Sequence, residues 1–379
     1  MRLTRDRPTW LIYLQLGTFA TYLYGLSAAL PLLQKDQRVS QTVAGLHGTS
    51  MALCGIAAGL ALPYLVRKYG RRATTWIGLA GVNAGVLLVV ATTALPATLL
   101  GYGLASGFGT LTLYASMAAL SDHHGPAGPA AISEANAVGA TIALFAPFLL
   151  SAAAQSAAGW RAALLLTPAC TLVLALTLGR YWIPEEDHQG EHRQHRGRFG
   201  WKFYAAGAVL FCCVALEFTF NLWAAVLVTT RTGLTPERAA ITVTALAAGL
   251  AAGRFVGARL ALRLTTTTLL VGALAVTGAG WVLFWLSTNP VLSLTGVVVC
   301  GLGIALHFPL ALSGVIANSG GRPDRASAIG SIWASVAVGA GPLVLGALAD
   351  GYGTVNAFLM VPVLIGLAVA GVLSARPRP

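Results

Sequence analysis

Twelve long apolar stretches divide this chain of 379 residues into two matching halves. Landmarks recur about 195 residues apart: Gly107-Phe108-Gly109 in the fourth stretch matches Gly301-Leu302-Gly303 in the tenth. Pro147, late in the fifth stretch, likewise matches Pro342, late in the eleventh. A membrane-spanning helix needs about 20 apolar residues to cross roughly 30 Å of hydrocarbon. The pattern predicts an all-α membrane protein of twelve transmembrane helices in two pseudo-symmetric six-helix bundles.

The expected spans occupy most of the chain, which leaves no room for a large soluble domain. We place an N-terminal bundle at 1–183, a cytoplasmic linker at 184–200 and a C-terminal bundle at 201–379. Most other connections are only a few residues long, so neighbouring helices must be antiparallel. The predicted spans are 10–33, 43–66, 74–93, 97–120, 130–154, 162–182, 203–229, 239–260, 268–287, 291–316, 326–348 and 355–374.

The distribution of charge orients these spans in the membrane. Only 9% of the residues are charged and 56% are apolar, whereas about a quarter of a soluble protein is charged. The net charge of +12 could suggest a nucleic-acid partner. However, most Lys and Arg residues lie on one side of the predicted membrane, which is the positive-inside bias. We therefore expect a multi-pass inner-membrane protein with both termini in the cytoplasm, and no nucleic-acid partner.

Neither the cysteines nor the linker histidines indicate a metal ion or another cofactor. Cysteines inside apolar spans usually behave as small hydrophobic residues, and all five cysteines lie in such spans. His188, His192 and His195 could hold a metal only if the linker were helical. Gly190 and Gly197 favour a solvated linker instead. With no catalytic constellation either, we expect that the chain is not an enzyme.

The loop after the second span reads PYLVRKYGRR from Pro63 to Arg72, and 257–264 is a weaker copy of it. This loop, with Arg67, Gly70 and Arg71, resembles the signature loop of the major facilitator superfamily, and the resemblance extends over the whole chain. The family usually has an Asp at the place of Arg67, and that Asp helps to latch the cytoplasmic side closed.

Two shorter motifs bear on the branch of the family. Gly159-Trp160-Arg161, and Glu217 with Trp223, are similar to motifs of the fucose-permease-like and related efflux branches. The resemblance implies secondary transport by alternating access, by a chain that functions as a monomer. A sensor that binds a solute without moving it is an alternative, but such proteins usually carry an added output domain.

Two acidic residues, Glu134 and Glu217, fall inside predicted spans. A charge inside the bilayer is unfavourable by several kcal/mol, so intramembrane acids are functional candidates. Glu217 lies near the middle of the seventh span, which lines the cavity in the family. We expect it to couple transport to protons or to bind a cationic solute; the alternative is a neutral, hydrogen-bonded structural residue. His307, at similar depth in the tenth span, could exchange protons with it or be a packed hydrogen-bonding residue.

Glu134 and Arg254 are candidates for a cytoplasmic gate. Glu134 enters the fifth span from the cytoplasmic side, and Arg254 lies in the cytoplasmic third of the eighth span. In the family these two spans face each other across the boundary between the bundles. A pair between the two residues would close the gate, unless Glu134 has a partner in its own half.

Uncharged polar and aromatic residues in the spans are candidates for contacts with the solute. No Lys or Arg is expected at the depth of the midplane, which disfavours multivalent anions and favours a neutral or cationic solute. The glycine-rich sequence at 339–342 resembles the antiporter motif of exporters in this superfamily, and the resemblance implies proton-coupled efflux by antiport. The alternative is a proton-linked symporter that imports a sugar or a similar metabolite. The candidate binding residues are Gln15, Tyr22, Tyr24, Tyr114, Asn136, Asn221, Trp223, Ser331 and Trp333.

Overall fold

The computed structural model of this chain describes residues 3–39, 41–154, 156–157, 159–183, 197–234, 239 and 241–375. Within these residues the backbone forms helices and short connections, and no strand occurs. Lipid offers no hydrogen-bond partners, so a spanning segment has to satisfy its backbone groups internally, as a helix does. The predicted all-α fold is confirmed. The three linker histidines lie outside the described residues.

The first half begins with a helix capped by the side chain of Asp6, which accepts a hydrogen bond from the backbone nitrogen of Thr9. The second helix contains two predicted spans, separated at Gly70, where φ is 77° and ψ is 166°. A side chain would be strained at this positive φ, so glycine is needed here. The helices are α1 (Arg7–Gln37), α2 (Gln41–Ala91), α3 (Leu95–His124), α4 (Gly128–Ala154), α5 (Trp160–Leu164) and α6 (Leu166–Thr177).

The second half repeats this arrangement of long and broken helices. Its first helix, α7, packs against later helices of the same half, including α12 and α14. The helices are α7 (Trp201–Thr232), α8 (Ile241–Leu260), α9 (Thr266–Leu286), α10 (Pro290–Ile304), α11 (His307–Ala317), α12 (Pro323–Tyr352), α13 (Thr354–Ala357) and α14 (Met360–Ser374).

Proline explains three of the breaks between consecutive helices. Proline has no backbone N–H, so the carbonyl four residues earlier loses its helical partner. Pro168, Pro309 and Pro362 each lie three or four residues after a break, at 165, 305–306 and 358–359. The predicted sixth, tenth and twelfth spans are therefore each made of two short helices.

The lengths of the helices are consistent with twelve crossings. Within the described residues, nine helical segments are long and apolar enough to cross a membrane. Two of them, Leu46–Ala91 and Leu95–Ile142, contain 46 and 48 residues, enough for two crossings each at about 20 residues a crossing. Helix α1, which contains the first predicted span, has 31 residues, enough by length for one crossing.

The repeated glycines make equivalent contacts in the two halves. A Cβ on Gly107 would be crowded by the backbone of Cys54 on α2, and one on Gly301 would collide with the backbone of Leu246 on α8. Small residues allow membrane helices to approach closely. The matching landmarks therefore pack α3 on α2, and α10 on α8. The bundle limits 1–183 and 201–379 stay a prediction.

One face of the molecule, which we call the basic face, carries Arg5, Arg71, His124, Gly197 and Arg322. Ion pairs and hydrogen bonds join the helix ends there; for example, Arg322 Nη1 donates to the Gly197 carbonyl at 2.6 Å. This is the face that the charge distribution predicts to be cytoplasmic. At the opposite face, Asp36 accepts hydrogen bonds from Trp160 at 3.2 Å and Arg161 at 2.7 Å. The Gly-Trp-Arg motif therefore ties the end of α1 to α5.

Candidate functional site

Glu217 and Arg254 form an ion pair between α7 and α8. Glu217 Oε1 lies 3.7 Å from Arg254 Nη2, and only 13% and 10% of the two side chains are exposed. Arg254 Nε is buried and makes no hydrogen bond to any described residue. Each charge compensates the other, and removing one partner of such a pair leaves a buried charge unpaired.

The depth of this ion pair corrects one expectation. The backbone of Arg254 lies in the third of α8 nearest the basic face. Its long side chain brings the guanidinium to Glu217, at the middle of α7. A cation therefore does reach the centre of the spans. The long arginine side chain places its charge away from the depth of its backbone, which is why counting positions along the span misplaced this cation.

Asn221 and Trp223 follow Glu217 along α7. Asn221 Nδ2 donates to the backbone carbonyl of Glu217 at 2.8 Å. Trp223 Nε1 donates to the carbonyl of Pro342 on α12 at 3.1 Å. A Cβ on Gly341 would collide with Ala215, so the glycine-rich sequence packs α12 closely against α7. Both Trp223 and this sequence therefore have packing roles inside the second half.

His307 lies inside the second half, at the start of α11. Its ring is fully buried, and Nε2 lies 3.2 Å from Thr277 Oγ1 on α9. This contact directs the imidazole towards α9, and no contact between His307 and Glu217 occurs among the described residues. The geometry favours the structural alternative for His307, in which it joins two helices.

The two halves meet along α2 and α12, and along α4 and α8. A Cβ on Gly59 of α2 would collide with the side chain of Ser331 on α12. Ser331 Oγ donates to the Ala328 carbonyl of its own helix at 2.7 Å. Nearby, Tyr114 of α3 meets Phe308 of α11 edge to face, with their ring centroids 6.3 Å apart. Tyr114 and Ser331 therefore lie at the boundary between the halves.

Arg71 links the halves on the basic face. Its Nε and Nη2 donate to the carboxylate of Asp324 on α12 at 2.7 and 3.2 Å, and Nη2 lies 2.8 Å from Asp122 on α3. Burial lowers the pKa of Arg71, but the two carboxylates outweigh it and the pKa is raised. Arg67 lies one turn earlier, exposed and beside the ring of Tyr64.

Sequence reasoning missed the two acids that bind Arg71. The signal was available: Asp122 ends the fourth span and Asp324 begins the eleventh, both on the side predicted to be cytoplasmic. The absence of the usual Asp at position 67 therefore does not leave this face without an ionic contact.

The expected Glu134–Arg254 pair is not present, because each residue has another partner. Glu134 accepts hydrogen bonds from Arg5 Nε at 2.8 Å, from Arg5 Nη2 at 2.5 Å and from the Tyr13 hydroxyl at 3.1 Å. The hydrogen bond to Glu134 and its charge raise the pKa of Arg5. Glu134 is thus partnered in its own half, as the alternative held, while α4 and α8 still pack together.

Two more candidate binding residues pack inside the bundles. Tyr22 is 2% exposed and packs closely on Gly109 of α3. Trp333 packs on Gly207, with its ring centroid 5.2 Å from that of Phe203 on α7. These close contacts fill space between helices of the same half.

The other candidates differ in their surroundings. Gln15 is fully buried, and neither polar atom of its amide has a hydrogen-bond partner among the described residues. Asn136 Nδ2 donates to the carbonyl of Ile132 on its own helix at 2.8 Å. Tyr24 is half-buried. Within the described part of the chain, none of these residues contacts Glu217.

Comparison with known proteins identifies the family. Residues 12–321 match the sequence model of the Major Facilitator Superfamily. The chain belongs to the Major Facilitator Superfamily. The family consists of transporters of small solutes, so this multi-pass membrane protein is a transporter, and the expectation that it is not an enzyme is confirmed. No curated protein sequence matches the chain.

Solved structures share the fold at low sequence identity. The transporter FucP in its outward conformation has a TM-score of 0.82 and 17% identity, over 98% of this chain and 99% of FucP; another structure describes FucP as the E. coli fucose:proton symporter. The human organic anion transporter MFSD10 has a TM-score of 0.80 and 14% identity, over 99% and 100%. The proton:xylose symporter XylE has a TM-score of 0.78 and 12% identity, over 97% and 95%. At these identities the likeness shows the fold alone.

Proposed function

We propose that this transporter couples the movement of a small organic solute to a proton carried by Glu217. The observation that carries this proposal is the buried pair of Glu217 and Arg254, 3.7 Å apart. A proton on Glu217 removes the charge that compensates Arg254, so the two protonation states differ strongly in electrostatic energy inside the bundle. A proton is therefore able to act as a switch at this site.

The position of the pair connects this switch to the boundary between the halves. Arg254 is on α8, and α8 packs against α4 of the other half. A change in the attraction between α7 and α8 therefore acts on a helix of the interface. Alternating access requires the two halves to rock about such an interface. In this conformation the contact between Arg71 and Asp324 closes the basic face.

For the direction of transport, we retain efflux by antiport of a neutral or cationic solute. A cationic group that reaches Glu217 competes with the proton for the same carboxylate, and competition of this kind produces exchange. We further propose that the protein lies in the inner membrane, with the basic face and both termini in the cytoplasm. The monomer is the functional unit.

One observation favours proton-linked symport as a second candidate. Arg254 Nε is buried without a hydrogen-bond partner among the described residues. Once Glu217 is protonated, Arg254 has N–H donors for an acceptor on the solute, such as a sugar hydroxyl. Proton and solute would then bind together and move in the same direction.

The test is proton flux in proteoliposomes that contain a pH-sensitive dye. A panel of cationic dyes, antibiotics and neutral sugars is added to wild type, to Glu217→Gln and to Glu134→Gln as the matched control. We expect solute-evoked flux in wild type and Glu134→Gln, and none in Glu217→Gln. The sign of the flux separates antiport from symport. Full dependence on the pH gradient in Glu217→Gln would remove the coupling role from this residue.

A further inference from the structure

A cavity of about 580 Å³ opens on the basic face, between the start of the third span and the end of the sixth. From the first segment it is lined by Tyr69, Arg72 and Trp76, and from the second by Arg180 and Trp182. No Asp or Glu is among its described lining residues. The volume is within the range of ligand sites, about 300–1,000 Å³, and the lining is suited to an anion.

The arginines of this cavity are held in place by neighbouring groups. Arg72 Nη2 donates to the Gly179 carbonyl at 2.7 Å, which joins the two walls. Arg180 Nη2 donates to the Tyr181 hydroxyl at 2.8 Å. The guanidinium of Arg7 also lies over the Tyr181 ring, 5.0 Å from its centre. Arg7 and Arg180 therefore meet at Tyr181, beside the cavity that Arg72 and Arg180 line.

An exposed apolar strip lies on α6, which ends at Thr177, three residues before Arg180. Leu176 and Val173 lie three residues apart on α6, so they share one side of this helix. Their exposed fractions are 78% and 58%. Tryptophan and tyrosine are enriched where a membrane protein meets the headgroup region, and Tyr69, Trp76 and Trp182 provide such aromatic groups here.

We propose that this cavity binds the phosphate headgroup of an anionic phospholipid, with the acyl chains along Val173 and Leu176. Basic pockets between spans on the cytoplasmic side are suited to such headgroups. A soluble phosphate would use the same arginines, but it would not use the apolar strip. The proposed site concerns the interaction of the protein with membrane lipid, and the proposal does not depend on the role of Glu217.

The test compares lipids on the full-length protein, purified in a neutral detergent, by native mass spectrometry. Dioleoylphosphatidylglycerol, dioleoylphosphatidylcholine and glycerol phosphate are added separately to wild type, Arg180→Gln and Arg263→Gln. Arg263 is an exposed arginine in the corresponding loop of the second half and lines no part of this cavity, so Arg263→Gln makes the same change of charge elsewhere.

We expect phosphatidylglycerol to bind more tightly than phosphatidylcholine in wild type and in Arg263→Gln. Arg180→Gln should weaken phosphatidylglycerol binding about fivefold, the factor that corresponds to one basic residue near the membrane surface. Equal binding of the two lipids, or equal binding by wild type and Arg180→Gln, would overturn the proposal. Displacement of phosphatidylglycerol by equimolar glycerol phosphate would also overturn it, in favour of a soluble phosphate.

Discussion

Arg71 and Asp324 form a two-pronged hydrogen-bonded pair that joins the first half of this transporter to the second. Asp324 lies in the first turn of α12, where a negative charge also interacts favourably with the helix dipole. Arg71 keeps a second carboxylate partner, Asp122, within its own half. The contact between the halves can therefore break without leaving Arg71 unpaired.

Asp324→Asn should shift the protein towards the conformation that is open at the basic face. The lost charge-assisted hydrogen bonds are worth about 1.5–3 kcal/mol, which is roughly a tenfold to hundredfold change in population. Spin labels on Arg67→Cys and Arg263→Cys, one in each half, would report the change as longer distances. Asp350→Asn, at the far end of the same helix, is the control. An unchanged distance distribution in Asp324→Asn would contradict this role.

Arg254→Met should destabilise the protein more than the double variant Glu217→Gln/Arg254→Met does. Removing one partner of a buried ion pair costs about 3–5 kcal/mol, whereas replacing both by neutral groups is often tolerated. Melting temperatures of the variants in one detergent provide the comparison. If the double variant melted no higher than Arg254→Met, the 3.7 Å contact would have no energetic importance.

His307→Gln should keep the solute-evoked proton flux of wild type and lower the melting temperature. The reason is the direction of the imidazole, which lies against Thr277 on α9. The measurement is the same flux assay, together with thermal unfolding, and wild-type protein is the reference. Loss of proton coupling in a folded His307→Gln protein would restore this residue to the mechanism.

Asp6 predicts a pH dependence at the start of α1. Burial raises the pKa of Asp6, but hydrogen bonds from Thr9 and the contact with His123 outweigh it, so the pKa is lowered. A carboxyl whose pKa is lower in the folded state stabilises the fold above its unfolded pKa, about 4. That contribution is lost as the pH falls through the folded value.

Two variants separate the functions of this carboxyl. Asn caps a helix about as well as Asp, whereas Ala costs about 1 kcal/mol. At neutral pH, amide exchange in α1 should therefore be faster in Asp6→Ala than in Asp6→Asn. The difference between Asp6→Asn and wild type should disappear in acid, below the folded pKa. A difference that persisted there would show that the charge of Asp6 is not its cause.

The sequence predicted the architecture because apolar length, charge asymmetry and duplication are properties of whole segments. The partners of single side chains were harder to predict. Glu134 binds Arg5, whose position depends on how the residues before α1 fold back on α4. Arg254 reaches Glu217 through the conformation of its side chain, which no pattern of residue types reveals. The depth of Tyr22 and Trp333 predicts contact with the solute, but depth does not determine which way a ring points, and their role in binding stays a prediction.

The contact between Gly59 and the Ser331 hydroxyl can form and break repeatedly as the two halves move relative to each other. The hydroxyl already donates to the Ala328 carbonyl of its own helix, so it gains no hydrogen bond when the halves meet and loses none when they part. Buried polar groups without partners are unfavourable by about 1–3 kcal/mol each. The Ser331 hydroxyl keeps this partner whether or not the halves are in contact. Water can therefore enter and leave the contact between Gly59 and Ser331 with little change in hydrogen bonding.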